Sequence, residues 1–384
     1  MGGVVVRPEA GEADLRTWIT FPRERVYAAA SLWVPPQDAD LRRYLDPRKD
    51  PFFRHGEARP LLARDAGGRV TGRALAHIYH PHNVRHGERA AFFGYFEALD
   101  DQRTATALVD AAAAFGAERG CTVLRGPFNM TAMQEMGILA DGFDAAPAVD
   151  ETYTAPYYPA LLAGAGLRPT FPVTTFRVDD LSAVDPERLL GQRHRDLLAS
   201  GRVRVRKADM RHFATEIETL RELLNDSFYE NPYFVPITHD EFFFQLGPYR
   251  RLMDPEISVV VEMDGVPCGF IVTVPDYNPL LKRMGGRLGP RELITFLRGR
   301  GRIRDAVLII MGVQRQLQGQ GLMRILQAEH LRALRRRGYR RLTITWVADA
   351  NEKSLATCRA IGGRPLHRLT LYEGAITAEG RIAR

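Results

Sequence analysis

A glycine-bearing turn between an apolar run and a long helical pattern constrains the fold of this chain more than any other feature. The apolar run spans residues 306–310, and the turn reads Gln318-Gly319-Gln320-Gly321. The run predicts a buried strand, and the apolar spacing that begins at Leu322 predicts a helix. Glycines let backbone N–H groups approach a ligand closely, and the helix points the positive end of its dipole at the same place. The pattern predicts an anion site suited to pyrophosphate; a tight connection that needs glycine only for steric reasons is the alternative.

Val313 and the turn together match a known signature. Val313 followed by Gln318-Gly319-Gln320-Gly321 resembles the Val-x-x-x-x-(Arg/Gln)-Gly-x-Gly motif of the GNAT superfamily of acyl-CoA-dependent N-acyltransferases. The resemblance implies that the strand carries the pantetheine arm of coenzyme A and that the turn holds its pyrophosphate. The residues that it implies for binding acyl-CoA, with an acetyl or longer chain, are Met311, Gly312, Val313, Gln318, Gly319, Gln320, Gly321, Leu322, Met323, Asn351 and Ser354.

The segment after the turn extends the resemblance but departs from it at two positions. A helix is predicted as far as residues 335–337, where cations suit a helix C-terminus. A strand follows at 341–347, and the stretch that begins at Asn351 resembles the next helical segment of the family. Cys358 stands where the family usually has a tyrosine, and Met323 stands where it has a small residue. The first departure leaves the proton donor open, and the second leaves the acyl carrier open.

Composition limits the classes of protein to which this chain can belong. Its 384 residues, 45% of them hydrophobic, can bury large cores and suggest two or three domains. No apolar run approaches the roughly 20 residues that span a bilayer, so we expect a cytoplasmic protein without a membrane partner. Neither the three cysteines nor the histidines at 77 to 86 follow a metal-binding spacing; we expect free thiols, a loop of polar histidines and no metal. A net charge of +7 favours an acidic partner, namely coenzyme A, a carrier protein or RNA.

The order of predicted elements indicates an internal duplication. A strand at 90–96, an alanine-rich helix at 105–118 and a strand at 122–124 repeat the order found around Gly321. The first half has Glu97, Asp100 and Asp101 in place of the glycines, and these carboxylates would repel pyrophosphate. We predict a degenerate GNAT-like domain at residues 1–180, with a structural or acceptor- or partner-binding role, and a catalytic domain that binds the acyl donor at 181–384. Chance similarity is the alternative, since any two α/β units share this order.

The second half contains the predicted acceptor site. A strand at 202–207 opens it, and an amphipathic helix at 215–228 takes the place of the first GNAT helix, which commonly lies beside the acceptor. Met263-Asp264-Gly265 predicts a hairpin that places Glu262 near the centre of the sheet. These segments also resemble a bacterial group of long GNAT-like proteins, from about Pro51 onward. The residues predicted to bind the acceptor are Asn225, Asn231, Tyr233, Phe234 and Asn278.

The chemistry of acyl transfer to an amine selects the catalytic candidates. An alkylamine with a pKa near 10 is only about one part in a thousand neutral at pH 7, so a base or a water chain should help. A bulge around Met311-Gly312-Val313 would present N–H groups to the oxyanion. The candidate bases are Glu262, Asp276 and Asp305, and the candidate acids are Tyr277, Tyr372 and Cys358. Each of them also has an ordinary structural explanation.

These patterns predict an α/β fold of the α+β type with mixed sheets: tandem GNAT-like domains, each a twisted mixed sheet flanked by helices. We expect an N-acyltransferase that moves an acyl group from acyl-CoA or an acyl carrier protein to an amine-bearing small molecule or peptide, by direct attack in a ternary complex. One alternative is an aminoacyl-tRNA-dependent transferase of the Fem type. Its tRNA partner is disfavoured, because the arginine clusters at 298–304 and 332–341 lack the interleaved aromatic residues typical of RNA binding. The other alternative is a non-catalytic binding protein on the same fold.

Overall fold

The computed structural model describes residues 4–27, 31–131, 133–247, 250 and 252–384, and the chain divides into two compact units. The first unit comprises the chain up to Val173, Asn278–Phe296 and His367–Arg384, and the second comprises Thr174–Tyr277 and Leu297–Leu366. In chain order the strands and α-helices are β1 (Val5–Pro8), α1 (Glu12–Phe21), α2 (Asp38–Tyr44), β2 (Gly56–Arg64), β3 (Val70–Tyr79), α3 (His80–His86), β4 (Ala90–Ala98), α4 (Gln102–Ala117), β5 (Val123–Gly126), β6 (Ile138–Asp141), α5 (Tyr158–Gly164), β7 (Arg168–Val178), α6 (Gln192–Ala199), β8 (Val203–Lys207), α7 (Phe213–Ser227), α8 (His239–Leu246), β9 (Val259–Met263), β10 (Val266–Pro275), α9 (Asn278–Met284), α10 (Pro290–Gly299), β11 (Asp305–Val313), α11 (Leu322–Arg336), β12 (Arg341–Ala348), α12 (Glu352–Ala360) and β13 (Arg364–Ala375).

The first unit is built on strands β1 to β5, which follow one another in the sheet as they do in the chain. The pairs β1–β2, β2–β3 and β3–β4 are antiparallel, whereas β4–β5 is parallel. A parallel pair needs a crossover connection, and helix α4 provides it. Its buried side chains, which include Leu108, Ala112 and Phe115, join the main apolar core of this unit.

The second unit repeats this arrangement with strands β8 to β12. Three antiparallel pairs, β8–β9, β9–β10 and β10–β11, precede the parallel pair β11–β12, and helix α11 forms the crossover. The hairpin between β9 and β10 turns at Asp264 and Gly265, whose φ values of 52° and 82° are those the sequence required. Helix α11 buries Leu322, Ile325 and Leu331 in the core of this unit. The predicted mixed α/β fold is thereby confirmed.

The compact units do not follow the predicted boundary at residue 180. Strands β7 and β13 each have residues in both units, and Asn278–Phe296 is grouped with the first. The separate roles predicted for the two domains stay predictions. No helix in the described part of the chain is long and apolar enough to cross a membrane.

The histidine-rich segment is not the loop that we expected. His77 lies in β3 and is fully buried, with its ring 5.5 Å from that of Phe92. The other three histidines lie in helix α3, where the rings of His82 and His86 are 4.5 Å apart. Among the described residues, no group of three or more His, Cys, Asp or Glu side chains is arranged to hold a metal ion. Contacts with aromatic side chains such as Phe92 are long-range, so local sequence did not indicate them.

Candidate functional site

Strand β11 carries a β-bulge in its middle. Its register with β10 shifts between Val272 and Thr273, which leaves Ile309 as an extra residue on β11. The carbonyl oxygen of Ile309 accepts a hydrogen bond from Thr345 Oγ1 at 2.7 Å. The predicted bulge at Met311-Gly312-Val313 is therefore displaced toward the start of the strand, because those three residues pair in regular register with β10.

Beyond the bulge, the edge of β11 toward β12 has no partner strand among the described residues. The parallel pairing of the two strands ends at Leu308, although β11 continues to Val313. On the other edge, Gln314 N–H donates to the carbonyl oxygen of Cys268 in β10 at 2.9 Å. Hydrogen-bonded and non-hydrogen-bonded pairs alternate along an antiparallel ladder, so Met311 and Val313 direct their backbone groups away from β10. This edge can accept an extended ligand that hydrogen-bonds to a backbone.

The turn between β11 and α11 presents several N–H groups without partners. Gly319 and Gly321 have φ values of 79° and 92°, which glycine adopts without strain. The side chain of Gln318 folds back, and its Nε2 donates to the carbonyl oxygen of Val313 at 3.2 Å. Within the described residues, four backbone N–H groups at this turn have no hydrogen-bond acceptor: those of Gly319, Gly321, Leu322 and Met323. Together with the dipole of α11, they form a cradle for an anion.

His194, which the sequence analysis missed, lies against this turn. A Cβ built on Gly321 would be 2.7 Å from His194 Nε2. The Nδ1 of the same ring accepts a hydrogen bond from the N–H of Gly191 at 3.0 Å, so Nε2 carries a proton and is a donor. The only local signal was its place at the third position of α6, where a side chain folds back on the N-cap.

Helix α7 is fixed closely to the strand that leads into the turn. A Cβ on Gly312 would lie 2.7 Å from Ser227 Oγ, so only glycine allows this approach. The carboxylate of Asp226 accepts hydrogen bonds from Arg315 N at 2.8 Å and from Arg315 Nε at 3.4 Å. The guanidinium of Arg315 also lies 4.7 Å from the ring centroid of Tyr229. These contacts fix the position of the segment that joins β11 to the glycine turn.

The two bases predicted on β9 and β11 are held by arginine. Glu262 Oε1 is 2.6 Å from Arg206 Nε, at the hairpin end of β9 rather than at the centre of the sheet. Asp305 receives two bonds from Arg341, at 2.9 Å and 2.6 Å, at the start of β11. The third predicted base, Asp276, lies beside Asp305, because its N–H donates to the carbonyl oxygen of that residue at 2.9 Å. Both Asp276 and Asp305 are at the end of β11 opposite to the turn.

The three predicted acids are buried groups that keep their protons. Tyr277 donates its hydroxyl proton to the carbonyl oxygen of Leu252 at 2.6 Å, and burial raises its pKa. Cys358 is fully buried in the core of the second unit, where burial raises the pKa of its thiol to about 12. Tyr372 belongs to the core of the first unit, and burial raises its pKa as well. Their catalytic roles stay predictions.

Most residues predicted to bind the acceptor have structural hydrogen bonds. The amide of Asn225 accepts from Ile237 N at 2.8 Å and donates to Ile237 O at 3.0 Å, which fixes the loop after α7. Asn231 Oδ1 accepts from Tyr233 N at 3.3 Å in that loop, and Phe234 is buried with its ring centroid 5.7 Å from that of Phe228. Asn278, in the first unit, donates to Pro147 O at 2.9 Å.

The remaining residues predicted to bind acyl-CoA lie at helix starts. Asn351 caps α12, because its Oδ1 accepts from Ser354 N at 3.1 Å. Gln320 Nε2 points back to the carbonyl oxygen of Gln316 at 3.4 Å. The side chain of Met323 is partly buried and packs against the apolar core of the second unit. Leu322 is buried in the same core.

The corresponding edge in the first unit is filled by the chain itself. The parallel pairing of β4 with β5 ends at Phe92, and the loop after β5 then follows β4. Phe128 N–H donates to Phe93 O at 2.7 Å, and Asn129 Oδ1 accepts from Tyr95 N at 2.7 Å. Helix α4 is capped by Asp101, a carboxylate, instead of following a pair of glycines.

Comparison with known proteins agrees with this geometry. Residues 217–362 match a family model described as the acetyltransferase (GNAT) family. Protein YghO of Escherichia coli (strain K12) is 28% identical over 382 residues, which cover 97% of this chain and 95% of that protein. A protein named bacterial ceramide synthase, from Caulobacter vibrioides, is 29% identical over 379 residues, with 97% of both chains covered.

Two solved structures have a similar fold along the whole chain. A tandem GNAT protein from the clavulanic acid biosynthesis pathway superposes with a TM-score of 0.55 at 14% identity, and covers 98% of this chain and 99% of its own. A GCN5-related N-acetyltransferase from Sphaerobacter thermophilus gives a TM-score of 0.51 at 13% identity, with coverages of 97% and 96%. At such identities the likeness concerns the fold alone.

Proposed function

We propose that this chain is an enzyme that transfers an acyl group from a coenzyme A thioester to an amine, because residues 217–362 match the acetyltransferase (GNAT) family model and the fold is similar to that of a tandem GNAT protein. The observation that carries the proposal is the anion cradle after β11. Four N–H groups without acceptors among the described residues stand at the start of a 15-residue helix, directly after a strand with a free edge. An extended acyl-pantetheine arm that is joined to a pyrophosphate matches both features.

The backbone supplies most of the chemistry in this proposal. The backbone groups of Met311 and the N–H of Val313 would hold the amide groups of the pantetheine arm, and the cradle would hold the pyrophosphate; Val313 O already accepts a hydrogen bond from Gln318 Nε2. The bulge at Ile309 interrupts the ladder where the thioester carbonyl would lie, so an N–H group there can stabilise the oxyanion. The amine attacks the carbonyl carbon, the carbon–sulfur bond breaks, and coenzyme A leaves as a thiolate that takes up the proton released by the amine.

A general base is not required from the side chains predicted for that role. Glu262 and Asp305 are hydrogen-bonded to arginine, whose N–H groups occupy carboxylate oxygens that a general base would need to accept a proton. In the proposal the acceptor enters as the neutral amine, and binding in the correct orientation provides most of the rate enhancement. A thiolate is a good leaving group, so the tyrosine that is replaced by Cys358 is not essential.

The acceptor that we propose is a long-chain amino alcohol. A ceramide is the amide of a fatty acid with such a base, and the relative from Caulobacter vibrioides is named a bacterial ceramide synthase. That relative covers 97% of this chain without large gaps at either end, which supports a shared type of substrate. The proposal is accordingly an N-acylation that joins a fatty acyl group to the amine of an amphiphilic base.

The test is a transfer assay with the purified full chain. We would incubate the protein with palmitoyl-CoA or acetyl-CoA and with sphinganine, follow the released thiol by its absorbance after reaction with a disulfide reagent, and identify the amide by mass. Gly321→Glu places bulk and a negative charge in the cradle and should abolish both the product and the rise in Tm caused by acyl-CoA. Gly338→Ala, at the other end of α11, is the matched control.

Other donors would change the proposal in defined ways. Amide formation from an acyl carrier protein but not from acyl-CoA would replace the donor and keep the reaction. Transfer from aminoacyl-tRNA, with no product from either thioester, would favour the Fem-type reaction instead. No product and no Tm shift with any donor would refute the enzymatic function.

A further inference from the structure

A group of exposed aliphatic side chains lies on helix α10 and just before it. Nine large apolar side chains are exposed among the described residues, and four of these lie within ten positions: Leu288 (71% exposed), Leu293 (50%), Ile294 (49%) and Leu297 (52%). Leu293, Ile294 and Leu297 share one helix face by their spacing. Phe296, on the neighbouring face, is buried and attaches the helix. Single exposed leucines are ordinary, but a contiguous group marks a binding surface.

The chain around this apolar face is strongly basic. Residues 282–304, which we call the basic segment, contain Lys282 and seven arginines but a single acid, Glu292. The net charge of the basic segment is +7, which equals the formal charge of the entire chain, so the remaining 361 residues are balanced. The arginines lie before helix α10 at Arg283 and Arg287, within it at Arg291 and Arg298, and after it at Arg300, Arg302 and Arg304.

These positive charges are not neutralised by the protein. All seven arginines are exposed, and within the described part of the chain none of them has an ion-pair partner. In contrast, arginines elsewhere in the chain, such as Arg202 and Arg341, form paired bonds with aspartates. Exposed guanidinium groups without ion-pair partners, two of them on the same helix as the apolar face, are complementary to a surface that is both anionic and apolar.

The segment that leads into α10 is firmly attached to the first unit. Gly286 O accepts a hydrogen bond from Asp38 N at 2.9 Å, and Lys282 Nζ donates to the carbonyl oxygen of Ser31. Gly286 has a φ of 77°, and a Cβ there would be 2.8 Å from Pro36 O. The segment before α10 is therefore held in place, and it fixes the start of the helix that carries the exposed apolar face.

A basic depression adjoins the apolar face. It has a volume of about 350 Å³, and Arg287, the neighbour of Leu288, lines it together with Arg16, Arg23 and Arg42. Asp38 binds Arg23 through two hydrogen bonds of 2.6 Å and 2.8 Å, and Glu24 is the other acid in the lining. Arg42 is paired with Glu12 at 2.7 Å, so Arg16 and Arg287 are the lining arginines without an ion-pair partner among the described residues, and they favour an anionic group such as a lipid phosphate.

We propose that the apolar face of α10 and the basic segment dock this protein on the surface of a bilayer that contains anionic lipids. The aliphatic side chains would enter the boundary between headgroups and acyl chains, while the arginine stems extend to the phosphates. A soluble acidic partner would explain the charge, but it would leave four outward aliphatic side chains without a reason. We expected no membrane partner because no apolar run is long enough to span a bilayer. That argument does not apply to a helix that lies on the membrane surface. The proposal does not depend on the proposed enzymatic function.

Binding to vesicles tests this directly. The purified full chain is floated with vesicles of phosphatidylcholine, or of phosphatidylcholine with one-third phosphatidylglycerol, at low and high salt. We expect binding to the anionic vesicles that weakens with salt. Leu293→Asp/Leu297→Asp should remove it, and Arg287→Glu/Arg298→Glu should weaken it at least tenfold, since each charge near an anionic surface changes binding by about fivefold.

Control variants at exposed residues elsewhere show whether the loss of vesicle binding is specific to the apolar face and the basic segment. Val84→Asp alters a single side chain that is 84% exposed elsewhere, and Arg204→Glu/Arg381→Glu removes two exposed arginines outside the basic segment. Both variants should bind as the unaltered protein does, and circular dichroism should show that every variant is folded. Failure of the unaltered protein to float with anionic vesicles would overturn the proposal, as would equal loss in the controls. A dimer in solution that Leu293→Asp/Leu297→Asp converts to monomer, without an effect on vesicle binding, would assign the face to a second copy.

Discussion

The imidazole of His194 occupies the space that a side chain on Gly321 would fill, since a Cβ on that glycine would be 2.7 Å from His194 Nε2. Gly191 N–H fixes the ring through Nδ1 at 3.0 Å, so a donor from α6 is directed at the turn. The turn thus combines backbone N–H groups from one element with a side-chain N–H from another, 127 positions earlier in the chain.

We expect His194→Ala to weaken binding of the acyl donor. A hydrogen bond to a charged group contributes about 1.5–3 kcal/mol, so KM for acyl-CoA should rise about tenfold or more while kcat changes by less than about threefold. His194→Gln retains an N–H donor and should recover part of the affinity. His212→Ala, at an exposed histidine paired with Asp209, is the control. An unchanged KM in His194→Ala would remove this side chain from the donor site.

The two glycines of the turn should differ in their tolerance of alanine. Gly319 has open space around a Cβ, so Gly319→Ala costs only the strain of its positive φ, about 1 kcal/mol. Gly321→Ala adds a clash with His194 and should cost at least about twice as much. Urea unfolding measures both values. Equal losses would mean that the imidazole moves aside freely, and Gly321→Ala/His194→Ala would then gain nothing over the single variant.

Replacement of Cys358 should leave the reaction intact. Burial raises the pKa of its thiol to about 12, so almost no thiolate exists at pH 7 to attack a thioester. Cys358→Ala should keep kcat/KM within about twofold, with a modest loss of stability from the small cavity. Intact-mass spectra after exposure to acyl-CoA should show no adduct. An acyl adduct that disappears in Cys358→Ala would establish a covalent intermediate instead.

Glu97 should make the first unit less stable in mild alkali. Burial raises its pKa to about 7, against the effects of Arg73 and of the hydroxyls of Tyr158 and Tyr27, which donate to it at 2.6 Å and 2.9 Å. The folded state therefore holds the proton more tightly than the unfolded chain, whose glutamate titrates near 4.3. This contribution to stability is complete below about pH 4 and is lost as the pH rises through 7.

Glu97→Gln provides the measurement. The glutamine side chain stays neutral at every pH. Between pH 5 and pH 8 the free energy of unfolding should therefore fall less in the variant than in the unaltered protein, and the two decreases should differ by an amount of the order of 2 kcal/mol. Glu118→Gln, at a largely exposed carboxylate, should not change the pH dependence. If both variants titrate as the unaltered protein does, Glu97 is ionised in the folded state at neutral pH.

The rate should follow the neutral fraction of the acceptor. Because Glu262 and Asp305 are held by arginine, we expect kcat/KM to rise about tenfold per pH unit between pH 6 and pH 8 for an amine with a pKa near 10. An acceptor amine of lower pKa should reach its plateau at a correspondingly lower pH. A plateau at the same pH for both amines would reveal a titrating group on the enzyme.

Local signals in the sequence predicted the elements around the turn, because a strand, a glycine turn and a helix start are each encoded within a few residues. The strand that ends at Val313, the glycine turn before Leu322 and the helical segment after Asn351 were all of this kind. The hydrogen-bond partners of the acceptor residues could not be predicted from such local signals. Asn225 and Asn278 bond to backbone groups 12 and 131 positions away, and such partners depend on tertiary structure. For the same reason His194 was missed, and Tyr372 was assigned to the catalytic half although it lies in the core of the first unit.

The loop that runs along β4 has a consequence for stoichiometry. Two units of the same topology would by symmetry offer two edges to a donor, but Phe128 and Asn129 already hydrogen-bond to β4 where β11 is open. A calorimetric titration should therefore end at one equivalent of donor per chain, with a simple hyperbolic saturation. In the first unit, the loop after β5 lies where the donor would bind. The surface of that unit can therefore change without any effect on donor binding.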